Sequence, residues 1–211
     1  LTGNPIRSGL INLGGKREEA INYFGLDPAR KVVLITGGSL GAGTLNRSVL
    51  ESLDRIRTKS FQLIWQSGKY YYEDVKSSLR KSGASNVFLY PFIDRMDLAF
   101  AAADIIVSRA GAGTISELCL VGKPCILVPS PNVAEDHQTK NALSLADRKA
   151  AILVPDAEAT AKLFEQVFRI MDAPELAAQL SQNIGKLAIP DSSDRIVAEL
   201  FAMIDEADGK R

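Results

Sequence analysis

Six short apolar runs, rich in β-branched residues and separated by stretches of helical length, constrain the fold of this chain more than any other feature. They are KVVLITGGS (31–39), FQLIWQSG (61–68), NVFLYPF (86–92), ADIIVSRAG (103–111), KPCILVPSP (123–131) and AAILVPD (150–156). None shows the strict polar–apolar alternation of a half-exposed strand, so each is expected to be buried on both faces. Strands covered on both sides and separated by helices imply βαβ units and a mostly parallel sheet. Helices are expected at about 41–57, 70–82, 95–103, 113–121, 136–148, 158–171, 174–186 and 192–207. Asp94 reads as the N-cap of the third, and Asp191 or Ser192 as that of the last. The expected fold class is α/β, a doubly wound, six-stranded, Rossmann-like sheet.

Residues 1–30 follow a different pattern. GNPIR is extended by its proline, NLGG is a turn, and KREEAINYFGL is one short helix ending at a glycine. We expect an interdomain lead-in at 1–30, the nucleotide-type domain at 31–190, and a separate C-terminal helix at 191–211. The chain begins LTGNPIR, without methionine, and is expected to be a fragment of a longer protein. Lysine plus arginine and aspartate plus glutamate balance at 25 each, so no global field favours nucleic acid, and an anion would have to be held locally. Cys119 and Cys125 lie in apolar stretches and read as reduced core residues. No apolar run reaches the roughly 20 residues needed to span a bilayer, and the expected location is cytoplasmic.

In an open parallel sheet, ligands bind beyond the carboxyl ends of the strands, where strand order reverses. The loops that follow strands are therefore the informative ones. GGSLGAG (37–43) opens a helix after the first strand and, with Ser39 as a hydroxyl donor, outlines a phosphate cradle. It is not a Walker A loop, because Thr44 stands where the lysine would. SRAGAGTISEL (108–118) provides a second helix N-terminus with unobstructed amides at Gly111, Ala112 and Gly113. Glu117, one turn in, suits either the vicinal hydroxyls of a ribose or plain complementarity to the helix start; Arg109 reads as a salt-bridge residue at the rim. In PSPNVAEDHQTKNA, Gln138 and Asn141 share a face, so one can meet a ligand while the other anchors the loop. His137 is the only histidine, which argues against a histidine-rich metal site or a Ser-His-Asp triad, and it reads as exposed. Phe92, Ile93 and Met96 of PFIDRM can flank a flat heterocycle or simply pack in the core.

Together, GNPIR (3–7), GGSLGA (37–42), PFIDRM (91–96), SRAGAGTISEL (108–118) and EDHQTKNA (135–142) resemble, in order and spacing, the C-terminal donor-binding half of the MurG family of bacterial glycosyltransferases. The resemblance implies one half of a two-domain GT-B fold and an inverting, metal-independent transfer of N-acetylglucosamine from UDP-N-acetylglucosamine to lipid I, giving lipid II for peptidoglycan. No cofactor is implied. It places Ile93 at the uracil edge through its backbone, Met96 near the ring, and Glu117 on the ribose hydroxyls. Arg7, Gly38 and Ser39 would meet the diphosphate, assisted by amides around Ala112, Gly113 and Thr114. Gln138 would hold sugar hydroxyls with Asn141 and Asp136 nearby, while His137 stands where some members carry a second glutamine. The acceptor-binding half, with its proposed histidine base, is absent from this sequence. The fragment is therefore expected to bind donor without transferring it, and peripheral contact with the cytoplasmic face of the membrane is expected of the full-length enzyme only. Other readings are a UDP-N-acetylglucosamine 2-epimerase, a non-catalytic nucleotide-sugar-binding subunit and, through the incomplete GxGxxG of GAGTIS, a dinucleotide oxidoreductase.

Overall fold

A computed structural model of the protein describes residues 2–6, 10 and 13–208. Six strands form one all-parallel sheet: β1 (Val32–Thr36), β2 (Gln62–Gln66), β3 (Val87–Tyr90), β4 (Ile105–Ser108), β5 (Cys125–Leu127) and β6 (Ile152–Leu153). Their order across the sheet is β3-β2-β1-β4-β5-β6, so the direction of winding reverses between β1 and β4. The expected doubly wound class is observed. β1, β2, β4 and β5 are buried along their whole length, which is why their sequences show no alternation.

Nine helices occur among the described residues: α1 (Arg17–Phe24), α2 (Gly43–Arg57), α3 (Tyr72–Ser82), α4 (Met96–Ala102), α5 (Ala112–Val121), α6 (His137–Ala146), α7 (Ala159–Asp172), α8 (Pro174–Gly185) and α9 (Ser192–Asp208). Alternate residues of the central strands feed two cores. Leu34, Ile64 and Ile106 face the layer that contains α1, α4, α5 and α6. Val33, Ile35, Leu63, Trp65, Ile105 and Val107 face α2, α3 and α7. The short α1 belongs to the first layer: Ala20, Ile21 and Phe24 are buried, and Gly25, in the left-handed region at φ 65°, ends the helix.

The layers are pinned by polar contacts at both ends of the strands. Lys123 donates to the carbonyls of Phe100, Ala101 and Ala103, satisfying the C-terminal end of α4, and its burial lowers its pKa to about 8. Asp97, in the first turn of α4, accepts from Arg95 and from Lys16 beside α1. Asp94 is not the cap of this helix: Arg95 occupies the N-cap position, with no side-chain capping bond. The carboxylate that serves the helix start is one turn further in, where it also joins two helices. At α9, Asp191 takes the cap-like role through its carbonyl, which accepts from the Arg195 amide, while its carboxylate pairs with the Arg195 side chain. Val197, Leu200, Phe201 and Ile204 of this helix are exposed. Cys119 and Cys125 are buried free thiols.

Candidate nucleotide site

The strand ends create the floor of the site. Thr36 is in register with Gln66 on one side and Ser108 on the other, and all three continue the inward face of Leu34, Ile64 and Ile106. Three successive strands therefore exchange an apolar residue for a polar one at the same height. Above them the loop after β1 folds on Gly38, whose N–H donates to Thr36 Oγ1 (3.3 Å) and whose carbonyl accepts from Gln66 Nε2 (2.8 Å) and the Gly41 amide (3.0 Å). This loop presses backbone to backbone against the loop after β2. A Cβ on Gly41 would lie 2.0 Å from the Ser67 carbonyl oxygen, and Gly41 has φ +80°, so only glycine fits.

Two adjoining clefts open over this floor. The first, about 220 Å³, is lined on one side by Phe92, Ile93, Met96 and Phe100 and on the other by Ser39, Arg109, Thr114 and Glu117. The second, about 420 Å³ and more open, runs along residues 37–43 to Gly111, Ser130, Asn132 and Gln138. Gly38, Ser39, Arg109 and Thr114 border both. The loops after β1 and β4 thus converge at the switch point.

Their electrostatics favour an anion. Neither Ala42, the N-cap of α2, nor Gly111, the N-cap of α5, supplies a side-chain capping bond, and neither helix has an acidic residue in its first turn. α1, α3, α4, α8 and α9 each carry at least one, whereas α6 and α7, like α2 and α5, carry none. A side-chain capping bond is also lacking at α1, α3, α4, α6, α7 and α8. Each uncapped start leaves up to four unpaired amides and about half a positive charge. An oxyanion there gains on the order of 0.3–1 kcal/mol per helix, more where water is excluded.

Arg109 is held rather than free. It pairs with Asp156 at 2.5 Å and donates to the carbonyls of Val128 (3.0 Å) and Pro129 (3.2 Å); Asp156 also accepts from the Thr44 hydroxyl at 2.9 Å. The salt-bridge reading of Arg109 holds, and the bridge is partly buried. It fastens the loops after β4, β5 and β6 to the first turn of α2.

The remaining expected site residues divide clearly. Ile93, Met96, Thr114 and Glu117 line the first cleft with Gly38 and Ser39. Ala112 and Gly113 lie exposed in the first turn of α5. Gln138 borders the second cleft, and its Oε1 accepts from the amides of Ala110 (3.1 Å) and Ser130 (2.9 Å), so its amide nitrogen is the group left to meet a ligand. Asn141 donates to the Ala110 carbonyl at 3.0 Å, so both members of the pair brace the loop after β4. Asp136 and His137 are exposed, the histidine 3.8 Å from Glu135. Arg7 lies outside the described residues. Thr36, Gln66, Asp156 and Asn46, which bridges Trp65 Nε1 and the Ser67 carbonyl, escaped the sequence reading. A polar residue closing each apolar run was the available signal for the first two. Among the described residues, no group of three or more His, Cys, Asp or Glu is placed to hold a metal ion. None of their helices is long and apolar enough to cross a membrane.

A doubly wound parallel sheet with a mixed apolar–polar cleft at its switch point defines an α/β domain of Rossmann type. Residues 32–196 match the glycosyltransferase family 28 C-terminal domain, and the chain belongs to that family. Over 98% of its length it is 49% identical to a Parabacteroides distasonis protein and 50% identical to one from Phocaeicola vulgatus. Each is named UDP-N-acetylglucosamine–N-acetylmuramyl-(pentapeptide) pyrophosphoryl-undecaprenol N-acetylglucosamine transferase. The chain spans about half the length of these relatives, 56% and 55%. Among solved structures, Acinetobacter baumannii MurG superposes with a TM-score of 0.74 at 27% identity, over 90% of this chain and 53% of that one. The UDP-N-acetylglucosamine 2-epimerase of Neisseria meningitidis shares the fold at 19% identity and a TM-score of 0.60, over 89% of this chain and 48% of its own.

Proposed function

We propose that this chain is the donor-binding half of a MurG-type glycosyltransferase, holding UDP-N-acetylglucosamine while a second half presents lipid I. The observation that carries this reading is the meeting of two uncapped, acid-free helix starts beside an apolar slot and a carboxylate. That combination suits a diphosphate, a flat base and a ribose at once. Names and lengths of the relatives support the sugar and the acceptor. The base would lie along Phe92, Ile93 and Met96, with Glu117 taking the ribose hydroxyls. Ser39 and the amides that start α2 and α5 would face the diphosphate, together with Arg7. Gln138 would donate to the sugar, with Asn141 holding its loop; His137, exposed and turned to Glu135, is a weaker candidate.

The transfer itself has a definite charge balance. The acceptor hydroxyl would attack the anomeric carbon and give its proton to a base on the acceptor half, while the bond to the β-phosphate oxygen breaks and negative charge collects on UDP. Peptide dipoles fixed before the reaction stabilise that charge without reorganising. The helix α9 would cross to the acceptor half, covering Leu200, Phe201 and Ile204, and membrane contact would belong to the whole enzyme. Titration calorimetry tests the donor site. UDP should bind the chain, and Glu117→Ala should weaken it roughly tenfold or more, the worth of a charged hydrogen bond. No UDP binding by the folded chain at millimolar concentration would refute the reading.

A further inference from the structure

One buried amide in the first cleft is only half used. Gln66 ends β2, is 2% exposed and lines the slot between Phe92, Ile93 and Ser39. Its Nε2 donates to the Gly38 carbonyl, whereas its Oε1 is buried with no protein partner among the described residues. The amide cannot be turned over to cure this, because its oxygen would then face the Gly38 carbonyl oxygen at 2.8 Å, two acceptors with no proton between them. Gln62, four residues earlier on the same strand and face, shows the alternative. Its Oε1 accepts from the Asp27 amide and its Nε2 donates to the Asp27 carbonyl. Among the described residues two other buried side-chain oxygens are unpartnered, Asn86 Oδ1 and Ser192 Oγ, and of the three only Gln66 Oε1 belongs to a residue that lines this cleft. An unmet buried acceptor is costly, and an apolar residue would fill the same place without that cost.

We propose that Gln66 is a specificity residue of the nucleotide site, its Oε1 accepting a hydrogen bond from an N–H or O–H of the bound nucleoside while its Nε2 holds the phosphate loop through Gly38. The terminal torsion of a glutamine is soft, so a small rotation brings the oxygen to the cleft surface without releasing the loop. The inference rests on the UDP reading of the site and adds a side-chain contact to it.

Two ligands separate the two jobs of this amide. Binding of UDP and of uridine is measured by ligand-observed NMR and calorimetry for the 211-residue chain and for Gln66→Met. Loss of the nucleoside contact should weaken uridine about tenfold and UDP at least as much. The unfolding temperature of the free chain should hold or rise, because an unmet polar atom has gone. N3-methyluridine, 2′-deoxyuridine and 3′-deoxyuridine identify the donor: the analogue that lacks it should bind the unmodified chain and Gln66→Met equally. Unchanged uridine binding in Gln66→Met, with UDP either weakened or not, would overturn the contact and leave Gln66 as a loop brace at most. Failure of the unmodified chain to bind UDP would overturn the donor-site reading as well. Should Gln66→Met not fold, Gln66→Asn, whose shorter amide withdraws the oxygen, makes the same comparison.

Discussion

Asp156 shows how one side chain can set the geometry of a site it does not line. Its carboxylate holds both Arg109 and Thr44, so it fixes the distance between the loop after β4 and the start of α2. Asp156→Asn would leave Arg109 close to three carbonyl and amide oxygens without a counter-charge. Both partners keep some water contact, at 15% and 17% exposure, which places the expected loss of stability at about 2–3 kcal/mol, below that of a sealed pair. Chemical denaturation measures it. The same variant should weaken UDP more than uridine if, as proposed, the helix starts face the diphosphate; equal weakening of both would mean that Asp156 acts on the fold alone.

At the scale of elements, close approach and shared charges decide how the loops and helices meet. Gly41→Ala would force its new carbon into the Ser67 carbonyl at a backbone angle that disfavours any side chain. We expect at least about 2 kcal/mol of destabilisation, read from the unfolding midpoint, together with weaker UDP binding because the start of α2 must move. Between α1 and α4, the Arg95 hydrogen bond, with help from Lys16, lowers the Asp97 pKa to about 2. A carboxyl whose folded pKa is depressed contributes stability above its unfolded pKa, near 4, and loses it as pH falls through the folded value. Urea unfolding should therefore weaken between about pH 4 and pH 2, and Asp97→Asn should flatten that part of the profile. A profile with unchanged slope would remove Asp97 as its source. Strands and helices were legible in the sequence because burial on both faces and helical periodicity are local patterns, and the glycine-rich turns were legible because few other residues allow them. Asp94 misled because any acid before a helix resembles a cap. Asp156 and Gln66 were hidden because their partners depend on which strands are neighbours and in what register.

For the molecule as a whole, strand order β3-β2-β1-β4-β5-β6 does the decisive work, since it brings the turns after β1 and β4 side by side. Two helix dipoles then point at one place, and no acidic side chain in either first turn competes for it. Val197, Leu200, Phe201 and Ile204 of α9 are exposed, and the chain spans about half the length of the relatives it matches. In the proposed site, peptide amides rather than a bound cation neutralise the diphosphate. UDP and uridine titrated calorimetrically into the chain, in EDTA and again with magnesium, distinguish the two. UDP should bind more tightly than uridine by the same factor in both buffers. An advantage for UDP confined to the magnesium buffer would assign the neutralisation to the cation instead.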